Sequence, residues 1–122
     1  MVVRPISAEI VSKLSSIGLG EPIYYVSLGA HDFQFAHGDF SVRSENRVTF
    51  KIGGASYEWT EKPIEAPVWK LVEQKVIRVE APSDKALKFV LSTGDEIEAW
   101  TDDGPYEAVI VEAKSLGILE VF

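Results

Sequence analysis

Two imidazoles and a run of seven carboxylates are the groups with which this chain could do chemistry. His31 and His37 are its only histidines, and Asp32 and Asp39 lie beside them. A histidine next to a carboxylate can serve as a general base or hold a divalent metal. The two rings would share a face only if a regular strand ran up to Gly38, and their spacing fits no dedicated zinc motif. The plainer reading is a pair of solvated side chains beside a turn; a small hydrolase using His31 or His37 with the neighbouring acids is the sharper alternative.

The carboxylates are Asp95, Glu96, Glu98, Asp102, Asp103, Glu107 and Glu112, with no Lys or Arg between Gly94 and Glu112. Their summed charge equals the −7 of the whole protein. A calcium loop would need alternating oxygen ligands around a central glycine and a closing glutamate, a pattern missing here. Paired acids such as Asp95 with Glu98, or Asp102 with Asp103, could serve glycoside hydrolysis, but raising one pKa takes an apolar setting that adjacent carboxylates in a turn lack. Two readings are left. Charges on a hairpin can keep its open edge from pairing with another sheet, or they can steer a basic partner onto one face. In the alternating strand from Glu96, Trp100 falls on the same side as Glu96 and Glu98, where an aromatic anchor would strengthen the second reading. The expected partner-binding set is therefore Asp95, Glu96, Glu98, Trp100, Asp102, Asp103 and Glu107. Trp59, Trp69, Tyr24, Tyr25, Tyr57 and Tyr106 are numerous enough to build a core or a contact patch, with the core as the default.

Composition excludes much else. The absence of cysteine removes disulfides, thiolate nucleophiles and sulfur-ligated metals. Twelve thinly spread Lys and Arg against nineteen acids disfavour nucleic acid. No apolar run is long enough for a membrane span and the first residues do not resemble a secretory signal, so a cytoplasmic protein is expected. There is no Gly-x-Ser-x-Gly elbow, and Gly18-Leu19-Gly20 lacks the strand and helix of a phosphate loop. Neither a cofactor, a metal site nor a catalytic residue is expected.

The elements that must position these groups are mostly strands. Ser7 and Glu9 suit the start of a helix over 7–16, with Ile10, Val11 and Leu14 on one face and Ile6 packing from outside; Gly18, Gly20 and Pro22 end it. From Ile23 onward, β-branched and aromatic residues come in short runs between Gly, Asn and Asp turns, which predicts an antiparallel meander over 23–60. Glu61 to Pro67 reads as a joint, 68–72 as a helical turn, and further strands as 75–80, 86–91, 96–101, 106–113 and 118–122. The sum is a strand-rich α+β fold in one domain.

The two halves echo each other. Phe33, Phe35, Gly38 and Asp39 return 56 positions later as Phe89, Leu91, Gly94 and Asp95; Leu19, Ile23 and Val26 return 53 later as Val72, Val76 and Val79; Tyr57-Glu58 returns 49 later as Tyr106-Glu107. The pattern suggests an internal duplication of 7–60 and 66–113, with loop insertions between copies.

Trp69-Lys-Leu-Val-Glu-Gln74, Leu87 to Asp95 with its terminal Gly-Asp, and Asp102-Asp-Gly-Pro-Tyr-Glu-Ala108 together resemble a group of small bacterial proteins of unknown function. Val109 stands where that group usually has an aromatic, and Glu73 where it frequently has glycine. Some members are suspected immunity proteins, which neutralise a toxin, so the resemblance implies a binding role. The expectation is a non-catalytic protein that meets a basic partner through an acidic face, or alternatively a structural homo-oligomer such as a homodimer.

Overall fold

A computed structural model of the protein describes residues 5–17, 19–29, 31–38, 40–60, 66–101, 108–113 and 117–122. It contains a helix α1 (Ala8–Ile17), a 3-10 turn at Val68–Leu71 and ten strands: β1 (Ile23–Leu28), β2 (Phe33–His37), β3 (Phe40–Ser44), β4 (Arg47–Ile52), β5 (Ala55–Thr60), β6 (Val76–Ser83), β7 (Ala86–Leu91), β8 (Glu96–Trp100), β9 (Val109–Ala113) and β10 (Ile118–Val121). This is the strand-rich α+β class that the sequence predicts. One boundary differs notably: β6 runs through Pro82 and Ser83, where the sequence reads as a turn. The proline is tolerated because β6 is an edge strand with a register shift between Glu80 and Ser83.

The strands form two antiparallel sheets, ordered β1-β2-β3-β9-β10 and β5-β4-β8-β7-β6. A simple meander would have kept β1 to β5 together. Instead each half of the chain builds three strands of one sheet and donates its closing hairpin to the other. Advancing every strand number of the first sheet by five, and counting past ten back to one, reproduces the second.

The residue ladders correspond as well. Across the first sheet Val26, Phe35, Val42, Val111 and Glu120 lie in one row; across the second, Val79, Phe89, Ile97, Phe50 and Tyr57 do. Ile23 and Val26 thus correspond to Val76 and Val79, at the shift of 53. The shift of 56 does not hold, because Phe35 and not Phe33 is the counterpart of Phe89. The loop after β7 is two residues longer than the loop after β2, so aligning their Gly-Asp pairs moves β7 out of register with β2. The shift of 49 rests on Tyr106-Glu107, which lie outside the described residues; Tyr57 itself holds the row position of Glu120 on β10.

Between β1 and β6 the sheets are stitched by a short antiparallel contact at Pro22 and Lys75. The Gly20 N–H donates to the Val76 carbonyl (2.8 Å) and the Glu73 N–H to the Ile23 carbonyl (2.7 Å); the Ile23 N–H donates to Gln74 (2.8 Å) and the Val76 N–H to Glu21 (3.2 Å). Each of the two pairs maps onto itself under the shift of 53. Gly20 and Glu73 also share a left-handed backbone, at φ 88° and 74°, which is relaxed for glycine and strained for glutamate.

Apolar faces of the sheets meet in one core. Phe33 lies edge-on to Phe50 at 5.0 Å and Phe35 edge-on to Phe89 at 4.9 Å, each pair joining the two sheets. Helix α1 buries Ile10 and Leu14, with Ile6 before it, against β6. Its Lys13 reaches Glu9 (3.2 Å) and Glu120 of β10 (3.1 Å), and these two carboxylates hold the ammonium pKa above its ordinary value. No helix among the described residues is long and apolar enough to cross a membrane.

Candidate binding face

Strands β5, β4 and β8 turn a shallow groove of about 440 Å³ to the outside of the second sheet. Period-two alternation explains its lining: residues facing away from the core are Thr49 and Lys51 on β4, Ser56 and Glu58 on β5, and Glu96 and Glu98 on β8. Registry then sets the neighbours. Thr49 lies between Glu58 and Glu98, and Lys51 between Ser56 and Glu96. At the end of the face Trp100 donates its indole N–H to Thr49 Oγ1 (3.1 Å), and the Arg47 guanidinium sits 4.2 Å from the Trp100 ring centroid. The tryptophan therefore shares the side of Glu96 and Glu98, as the alternation predicts.

The face is less acidic than the isolated segment suggests. Lys88 on β7 approaches Glu96 at 3.2 Å and Glu80 at 3.9 Å, and Lys51 stands opposite Glu96. Lys51 comes from β4, distant in sequence, and Lys88 from β7 just before the acidic run, so reading that run by itself overlooks both. Within the groove the balance is still negative, three carboxylates against one ammonium.

Asp95 does not belong to this face. It is buried, accepting from the Gly53 N–H (3.0 Å) and from Gln74 Nε2 (2.9 Å), while Thr93 Oγ1 donates to Gln74 Oε1 (2.6 Å). Burial alone would raise its pKa; the hydrogen bonds from Gln74, Gly53 and Thr93 outweigh that and hold it below the usual value. The carboxylate locks three loops together. Gln74 and Asp95 thus meet in a structural contact, beside a fully buried Leu71.

The rest of the acidic run divides. Glu112 is on β9, in the first sheet, so it does not join Glu96 and Glu98. Asp102, Asp103 and Glu107 lie outside the described residues. Of the histidines, His37 is fully buried with its ring 3.8 Å from that of Phe40, shut away from any substrate, and His31 is exposed. Neither lines the groove on β5, β4 and β8. Among the described residues no group of three or more His, Asp or Glu is gathered as a metal site.

A second surface departs from the default of a core role for Tyr24 and Trp69 and fits the contact patch that was its alternative. Leu19, Tyr24, Trp69, Val72 and Ile77 are all exposed, Trp69 at 68% and Tyr24 at 64%. They occupy the segments that meet at the Pro22 and Lys75 bridge. Tyr24 and Ile77 sit at the matching register shifts of β1 and β6, where the extra residue is turned out of the ladder. The two matching bulges decide which side chains turn out, and a bulge cannot be seen in period-two alternation. Trp59, by contrast, is the core residue expected of it.

In comparisons with known proteins, no family model, no curated protein and no solved structure matches this chain.

Proposed function

We propose that the protein is a non-catalytic, cytoplasmic binding protein of the immunity type, taking a basic partner on the outer face of its second sheet. The observation that carries this reading is the groove, where Glu58, Glu96 and Glu98 outnumber Lys51 beside the indole of Trp100. Carboxylates grouped on one face accelerate encounter with a cationic protein, and an aromatic at the rim supplies contact area at little entropic cost. Capture of a partner from the native host, followed by titration with Glu96→Lys/Glu98→Lys, tests it. Affinity is expected to fall at least tenfold with the fold intact by circular dichroism; unchanged affinity would overturn the reading.

A second reading, self-association, is favoured by the exposed apolar seam of Leu19, Tyr24, Trp69, Val72 and Ile77. Light scattering on the wild type and on Trp69→Ser would decide it. A dimer that the substitution dissociates supports it, and a monomer at high concentration removes it.

A further inference from the structure

A sheet edge left without protection invites another strand, and the four edges of this molecule are treated very differently. The β1 and β6 edges are bulged and tied to one another at Pro22 and Lys75, and β6 also carries Pro82 and packs against α1. The β10 edge is four residues long and is held by Lys13 of α1 through Glu120. The β5 edge has none of these devices. Its six residues pair with β4 in unbroken register from Ala55 to Thr60, with no proline and no lysine. Among the described residues no hydrogen bond reaches it from anything but β4.

We infer that the β5 edge is a docking strand for an extended cationic segment of the partner, which adds to the second sheet as a sixth strand. This rests on the basic-partner reading above. Backbone groups of β5 would supply the pairing, and alternate side chains of the incoming strand would fall beside Ser56 and Glu58 at the rim of the groove. Charge selects the occupant. In an antiparallel self-pairing of β5, directly opposed residues share a face, so Glu58 of one copy would face Glu58 of the other or sit diagonal to it, a repulsive arrangement. A lysine or arginine in the same place is attracted to Glu58, with Glu96 and Glu98 behind it.

The test uses the full chain and a capped octapeptide alternating Lys and Val. Two further peptides carry N-methyl groups on all Lys or on all Val residues; both keep the charge, but each removes the donors along one edge. The parent peptide is expected to bind, with amide-exchange protection rising over 55–60. One methylated isomer is expected to lose at least tenfold in affinity while the other retains it, and Glu58→Lys to lose at least tenfold against the parent. Equal binding by all three peptides would overturn edge pairing and leave the basic-partner reading standing. Absence of peptide binding would overturn edge pairing as well. Failure of the basic-partner reading is distinct, appearing as native-partner affinity indifferent to Glu96→Lys/Glu98→Lys.

Discussion

Glu73 holds a left-handed backbone that costs a residue with a Cβ about 1 kcal/mol or more, and its counterpart across the stitch is Gly20. Glu73→Gly relieves that strain and gives back part of the gain as unfolded-chain entropy. A net stabilisation of about 0.5 kcal/mol is expected, read as a small rise in melting temperature of about 2 °C. Asp95 works in the opposite direction. Asp95→Asn keeps the shape but loses the charged acceptor for Gly53 and Gln74, at a cost of about 1–3 kcal/mol at neutral pH. The folded-state pKa is depressed, so the ionised form is the stabilising one. Its contribution is full above the unfolded value near 3.8 and disappears as pH falls through the folded value. Urea melts at pH 7 and pH 3 should therefore show the gap between wild type and variant closing in acid. Neither role is legible in the sequence: Asp95 is 42 residues from Gly53, and an acid in an acidic run reads as solvent-facing until its donors are known.

Strands, more than single residues, are where the sequence is readable. Alternation from Glu96 to Trp100 puts the two glutamates and the indole on one side, and the structure keeps them there. Alternation is silent on which strand lies alongside, and so on Lys51 and Lys88, which offset part of the charge of the face. It also treats Tyr24 and Ile77 as ordinary members of strands, when the bulges turn them out. Lys88→Glu is informative at this scale because it would place a third carboxylate between Glu80 and Glu96. Stability should fall by about 0.5–1 kcal/mol in denaturant melts at low salt, with much of the loss recovered at high salt.

At the level of the whole molecule, the class and strand count follow from local patterning, but the exchange of hairpins does not. The echo at 53 positions agrees with the register near the stitch because the segments 19–22 and 72–75 are equal in length, whereas the echo at 56 follows turns of unequal length. A copied unit of one helical turn and five strands would yield this arrangement, with each copy completing the other. The energetic corollary is that neither half owns a finished sheet: residues 1–60 lack β9 beside β3 and β8 beside β4. A fragment of residues 1–60 is expected to show no dispersed amide spectrum alone, and to gain one when mixed with 61–122.

The same exchange governs how the protein can be born. A ribosome delivers β1, β2 and β3 first, but the strand that flanks β3 lies more than sixty residues downstream, and β10 closes the sheet only once Ile118–Val121 has emerged. For most of translation the nascent chain thus carries an unfilled seam next to Phe33, Phe35 and Val42, a sticky surface that chaperones would have to shelter. Emergence of β9 and β10, not of the first half, is the event that permits the native state.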